Sequence, residues 1–306
     1  MVMKAINGEQ GVVAKVLLLS RRNSMTTPML LVAPALLVAF MLFVLPLCNM
    51  IIYSFYDYGR LTGIIKIFTF KNYARFWLDP FYLQILQRTF FISIIATFFT
   101  LIIGYPVALY MSRANDRIRG LVTLLVLSPL LISVVVRSFG WLIILGPNGL
   151  LDSVAKFLGF SGAAIAYTET AVVVGLVNVF LPYMVLAILA SLQTINPSVL
   201  LAASSLGAKP IIVFWRITFP LSLPGVIGGT LLVFCLASSA FVTPAMLGGS
   251  SIKVLSVLTF REAMVLQNWP FAASIAFSLL IVVSLIIGSQ AWLLGHRRGN
   301  SGVHIG

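Results

Sequence analysis

The sequence predicts an all-α, polytopic membrane protein with six transmembrane helices, and three observations carry that expectation. Of 306 residues, 60% are hydrophobic and only 9% are charged, whereas soluble domains carry roughly 25% charged residues. Mean hydropathy is +1.08. Apolar runs long enough to cross about 30 Å of hydrocarbon, which takes about 20 helical residues, recur with no polar block between them large enough to fold alone. The net charge of +13 does not point to nucleic acid, because the basic residues sit in short clusters between apolar runs and form no basic stripe. Cys48 and Cys235 lie deep in apolar runs and read as small buried side chains, neither a disulfide nor a metal pair.

Residues 1–28 read as a cytoplasmic N-terminal segment. The apolar run after Arg21 and Arg22 is too long for a signal-peptide core and lacks a small-residue cleavage site, so it stays as the first span, 29–56. The second span, 86–112, is charge-free after Arg88, which is placed to snorkel to the outer surface. The third, 120–146, carries Arg137 roughly two turns inside its far end, where a carbonyl, a carboxylate or a water-filled cavity must receive the charge. Gly146-Pro147-Asn148-Gly149 then forms a turn. Charge-free runs place the fourth and fifth spans at 169–194 and 224–249. The sixth, 270–294, opens on Pro270, where a missing N–H costs little, beside Trp269 at headgroup level. A cytoplasmic tail, 295–306, ends the chain. Pro34, Pro46, Pro106, Pro129, Pro182 and Pro244 punctuate the spans and predict kinks.

Six spans put both termini on one side of a bilayer. That side collects Lys4, Lys15, Arg21, Arg22, Arg113, Arg117, Arg119, Lys209, Arg216, Arg297 and Arg298. The other holds Arg60, Lys66, Lys71, Arg75, Lys156, Lys253 and Arg261. The positive-inside rule therefore predicts both termini in the cytoplasm of a bacterial inner membrane.

Catalytic chemistry is not visible. Metal and acid–base sites need clustered His, Cys, Asp or Glu, and the only histidines, His296 and His304, lie in the basic tail. The acidic residues all map to loops or helix ends, which disfavours an ion-coupled secondary carrier and leaves it, with a membrane scaffold, as the lesser alternative. The candidate pathway or gate set is Arg137, Trp141, Asn178, Tyr183 and Phe241.

The loop 195–222 is the most specific segment. Asn196 is a good N-cap, Pro197 a good first helical residue and Gly207 a natural left-handed stop, which predicts a short cytoplasmic helix of about ten residues. A second amphipathic piece, 209–219, sets Lys209 and Arg216 among apolar residues before Pro220, Pro224 and Gly225 redirect the chain. By composition this is an interfacial helix pair. However, Ala202-Ala203, Gly207 four residues later, then Ile217, Pro220 and Pro224-Gly225 resemble the EAA loop of binding-protein-dependent ABC importer permeases. The family's acidic position is Leu201 here, so any salt bridge made there is absent or replaced. Arg137-Ser138-Phe139-Gly140-Trp141, Leu145-Gly146-Pro147-Asn148-Gly149-Leu150 and Asn268-Trp269-Pro270-Phe271-Ala272-Ala273 are similar to the spermidine/putrescine branch.

The resemblance implies a type I ABC importer permease fold, with five core helices and a first helix that wraps its partner. It implies a non-catalytic subunit working with two copies of a cytoplasmic ATPase, a second permease of paralogous sequence and a periplasmic solute-binding protein. No cofactor is expected in this chain; ATP and Mg belong to the ATPase. The coupling residues it implies are Asn196, Pro197, Leu201, Ala202, Ala203, Ser204, Leu206, Gly207, Ala208, Lys209, Arg216 and Pro220. Polyamine is the solute it favours, with opines, aminophosphonates and other small solutes open.

Overall fold

The computed structural model describes residues 32–59, 61–159 and 164–299, with side chains to residue 290. The N-terminal segment 1–28 and residues 300–306 of the tail lie outside the described residues. Among the described residues, six helical stretches are long and apolar enough to cross a membrane, one of them, Val134–Phe157, made of two helices in succession. The first, α1 (Val32–Ser54), widens into a π-turn at Phe40–Val44, just before Pro46, whose ring nitrogen cannot donate to the ladder.

The all-α class holds, and the structure adds one short β-hairpin outside the spans. The first span stops at Ser54, and a two-stranded antiparallel hairpin follows: β1 (Tyr56–Gly59) and β2 (Gly63–Phe68), with Tyr58 opposite Ile64 and Gly59 opposite Gly63. Gly63 turns the chain at φ +72°, a conformation without penalty only for glycine. The β-branched pair Ile64-Ile65 suits the strand that follows.

After the hairpin come α2 (Lys71–Leu78), α3 (Pro80–Arg113), α4 (Asp116–Leu131), α5 (Val134–Leu145) and α6 (Leu150–Phe157). The remaining helices are α7 (Glu169–Gln193), α8 (Pro197–Ser205), α9 (Pro210–Ser239), α10 (Val242–Leu247), α11 (Leu255–Phe260) and α12 (Trp269–Gly299). Short polar residues fix the starts. Asp79 Oδ1 accepts from Phe81 N at 2.9 Å, Asn115 Oδ1 from Ile118 N at 3.1 Å and Thr168 Oγ1 from Ala171 N at 3.3 Å, satisfying N–H groups that a helix start leaves free.

Two spans are broken where the sequence predicts continuous helices. The run 120–146 is divided between α4 and α5, because Ile132 and Ser133 turn extended (ψ 135° and 137°) just after Pro129. The run 224–249 ends at Ser239, and Ala240 (ψ 129°) separates it from α10. The second span is longer than predicted, starting at Pro80. Arg88 therefore lies two turns inside α3, where its Nε pairs with Glu169 at 3.0 Å instead of snorkelling alone.

The core is α7 laid between α3 and α9. Between apolar helices in lipid there is little hydrophobic driving force, so close approach at small residues supplies the association. Met184 of α7 is fully buried and keyed between two glycines. A Cβ on Gly104 of α3 would stand 3.1 Å from Met184 Cγ, and one on Gly229 of α9 2.9 Å from its Sδ. Gly225 is tighter: its Cβ would meet Ser191 Cβ at 2.5 Å and the Ala187 carbonyl oxygen at 2.7 Å. A second cluster unites Phe76 of α2, Tyr82 of α3, Leu255 of α11 and Phe271 of α12. The Arg75 guanidinium lies 4.4 Å from the Phe271 ring centre, a cation–π contact. Glu262, just beyond α11, is buried at 6% exposure; that burial pushes its carboxyl above the ordinary range, against the pull of Arg75 and Arg261.

Two outcomes are expected. Gly225→Ala forces a methyl against a backbone oxygen and should cost about 1–3 kcal/mol, read as a lowered thermal midpoint in detergent, whereas Gly228→Ala, with open space around it, should be neutral. The folded chain holds the Glu262 proton more tightly than the unfolded chain, so its contribution to stability falls as pH rises through the window above the ordinary carboxylate value. Glu262→Gln cannot ionise, and the fall in thermal midpoint from about pH 5 to about pH 8 should flatten in that variant.

Candidate functional site

The first part of the site is the α8–α9 elbow. Asn196 Oδ1 accepts from Ser198 N at 3.0 Å and Pro197 takes the first turn. At the other end Gly207 N donates to Ser204 O at 3.0 Å and Ala208 N to Ala203 O at 3.1 Å, with Gly207 at φ +75°. This is a Schellman stop, in which a left-handed residue folds the chain back onto the last carbonyls. The helix between is short because both ends are capped, and none of its residues is buried. Leu201 and Leu206 are 67% and 88% exposed. Ala202, Ser204 and Lys209 are exposed with them, while Ala203 and Ala208 are half-buried. Exposed leucines on a fully capped helix present an apolar knob of the kind that marks a protein contact.

The chain beyond Lys209 is not a separate amphipathic piece. It runs through a π-turn at Phe214–Thr218 directly into α9, so Pro220 and Pro224 do not redirect it. Pro220 cannot donate to the carbonyl one turn back, and the wider turn, closed by Phe219 N to Phe214 O, accommodates the missing bond. Arg216 and Pro220 sit exposed on this elbow. Phe214 and Phe219 clasp Tyr105 of α3, with ring centres 5.7 and 5.8 Å away. Ser222 Oγ donates to Phe219 O at 2.9 Å, so the Tyr105 hydroxyl donates to Ser222 at 2.9 Å in a buried contact. Tyr105 and Ser222 escape a reading of the sequence, where the only sign is a tyrosine beside Pro106 in an apolar span.

The second part is the pair of helix breaks. Arg137 Nη1 donates to the Pro129 carbonyl at 2.8 Å, so its charge caps the C-terminus of α4, the end that attracts cations. Its buried Nε has no hydrogen-bond partner among the described residues. Ser138 of α5 and Thr243 of α10 share a buried hydrogen bond of 3.3 Å that ties the two breaks together. Phe241, in the second break, stacks on Phe260 at 4.6 Å. Trp141 and Asn178 line one cleft of about 400 Å³ with Phe99, Ile103, Thr170 and Val174, and the buried Asn178 Oδ1 has no partner among the described residues. The candidate set thus divides: Trp141 and Asn178 share that cleft, Arg137 and Phe241 belong to the breaks, and Tyr183, partly exposed on α7, neighbours Phe180 with ring centres 6.3 Å apart.

Loss of the Asn196 side chain should free the first turn of α8. Asn196→Ala is expected to cost about 1 kcal/mol, seen as roughly fivefold faster hydrogen exchange of the Ser198 amide.

Three comparisons place the chain. The family model for a binding-protein-dependent transport system inner membrane component matches residues 100–298. The spermidine/putrescine transport system permease protein PotB of Haemophilus influenzae is 33% identical over 72% of this chain and 77% of its own length. PotB of Escherichia coli strain K12 is 31% identical over 76% and 86%. Among solved structures, a chain of a bacterial alginate ABC transporter in complex with an alginate pentasaccharide-bound periplasmic protein superposes with TM-score 0.72 at 16% identity, covering 87% of this chain and 92% of that one.

Proposed function

Because the chain belongs to the family of binding-protein-dependent transport system inner membrane components, with the type I importer fold, we propose that it passes a polyamine of the spermidine/putrescine class across the inner membrane as one permease of an ATP-driven importer. The observation that carries the solute is identity above 30% with spermidine/putrescine permeases over about three quarters of the chain. Its partners in this reading are two copies of a cytoplasmic ATPase, a paralogous second permease and a periplasmic solute-binding protein. The chain itself is non-catalytic: ATP and its Mg bind in the ATPase, and the distribution of Lys and Arg supports cytoplasmic termini.

In this reading α8 is the coupling helix. Its two caps make it rigid, and a rigid element is what a moving ATPase cleft can push. Leu201, where the family carries an acid, enters the cleft as an apolar contact. Displacement of α8 passes through the π-turn into α9, and the Tyr105–Ser222 hydrogen bond engages α3 with it. The outer ends of the same helix set then carry the breaks at Ile132-Ser133 and Ala240, where backbone can rearrange without breaking a continuous ladder. ATP binding shifts the inward–outward equilibrium only through the differential fit of the ATPase pair to the two positions of α8.

Proteoliposomes holding the whole importer, given binding protein and ATP, should accumulate radiolabelled spermidine or putrescine. Gly207→Asp puts a side chain at a positive φ and should leave insertion in the membrane intact while uptake falls to background. Normal uptake in that variant would remove the coupling role of the elbow. Efficient uptake of another solute with no polyamine uptake would remove the solute assignment and leave the elbow untouched.

A further inference from the structure

The segment between α1 and α3 lies outside the span matched by the family model, which starts at residue 100, and the coupling mechanism makes no use of it. It is nevertheless tightly built. Asn72 Nδ2 donates to Ser54 O at 3.0 Å and to Tyr56 O at 2.8 Å, and Tyr73 Oη and Ser54 Oγ share a hydrogen bond of 2.9 Å, so α2 is folded back on the end of α1. Tyr58 Oη donates to Leu266 O at 3.0 Å, just before α12. Pro80 starts α3 two residues beyond α2. The hairpin and α2 are therefore held at the level where three membrane spans end.

Their outer surface has the wrong composition for a watery loop. Phe55 stacks on Phe68 at 4.8 Å, and Phe70 meets both rings edge-on at 5.4 Å. Phe68 and Phe70 are nonetheless exposed, as are Leu61, Ile67, Trp77 and Leu78. The exposed cations Lys66, Lys71 and Arg75 are interspersed among them; Lys71 Nζ lies 3.7 Å from Asp57 Oδ1, and the Arg75 guanidinium leans over the Phe271 ring. Aromatic rings with Lys and Arg at the end of a span are the composition of the membrane–water boundary. The surface is also continuous with α1, whose apolar length is almost entirely exposed.

We propose that this hairpin and α2 form an interfacial anchor, laid in the headgroup layer of the outer leaflet, with anionic phospholipid as its partner. The rings and leucines enter the glycerol level, and Lys66, with Lys71 at its exposed pair to Asp57, meets phosphate. The anchor fixes the outer end of α1 while the inner elbow moves. It is independent of which solute passes.

The test uses the whole importer in nanodiscs, with Cys48→Ser and Cys235→Ser, and spin labels placed singly at Leu61→Cys, Ile67→Cys and Leu78→Cys, with Phe43→Cys as the hydrocarbon reference. Collision with oxygen should exceed collision with a water-soluble nickel chelate at all three sites, at a depth shallower than residue 43 and increasing when phosphatidylglycerol is added to phosphatidylethanolamine. In a second set, Phe68→Ser with Phe70→Ser should raise nickel collision at residue 61 several-fold. Nickel-dominated collision in the unsubstituted segment would overturn the proposal. So would protection from both reagents, either always present, which assigns the surface to the second permease, or appearing only with the binding protein, which makes it that protein's dock.

Discussion

In hydrocarbon no water waits to satisfy a free backbone N–H or C=O, and every interruption of a membrane helix must bring its own partner. That constraint organises this molecule. The break after Pro129 is covered by the Arg137 guanidinium. The break at Ala240 is covered by Ser256, whose hydroxyl donates to the Ala240 carbonyl at 2.6 Å. The start of α11 is covered by Thr89 of α3, which accepts from Leu255 N at 3.0 Å while donating to Ile85 O at 2.7 Å. Each opening in the ladder is held by a side chain from elsewhere in the chain, so the irregular backbone is a defined conformation that a shift of those donors can exchange for another.

One long helix connects these openings to the α8 elbow. α9 runs 30 residues from Pro210 to Ser239, roughly 45 Å at helical rise, with the π-turn near its N-terminal end and the Ala240 break at its C-terminal end. Gly225 and Gly229 press its middle against α7 too closely for local bending. α9 is therefore stiff along its middle, and its departures from regular helix are confined to its two ends. Tyr105 ties α3 to the π-turn end of α9, because its ring sits between Phe214 and Phe219 as its hydroxyl reaches Ser222.

Much of this was legible in the sequence, and the misses have a common cause. The six spans and the short capped helix follow from local signals: charge-free length, Asn196-Pro197 at one end and Gly207 at the other. The hairpin was hidden because Ile64, Ile65, Ile67 and Phe68 are as apolar as a span and too few to announce a period. The broken spans were hidden because hydropathy reports burial in lipid and not continuity, and proline alone does not separate a kink from a break: Pro106 and Pro182 sit inside unbroken helices, while Pro129 precedes a break. What decides between them is whether a donor such as Arg137 lies near enough in space to hold the freed carbonyl. Arg88 illustrates the same limit, since its partner Glu169 is far away in sequence.

The charge on Arg137 inside the membrane zone is accounted for by its geometry. Its guanidinium is bonded to the last turn of α4, where the aligned peptide dipoles concentrate about half a negative charge. An arginine held there offsets a helix end, and the cleft lined by Trp141 and Asn178 keeps the buried Asn178 oxygen without a partner among the described residues. The cation inside the membrane zone is therefore part of the cap on the α4–α5 break, the contact that makes the broken backbone tolerable in lipid.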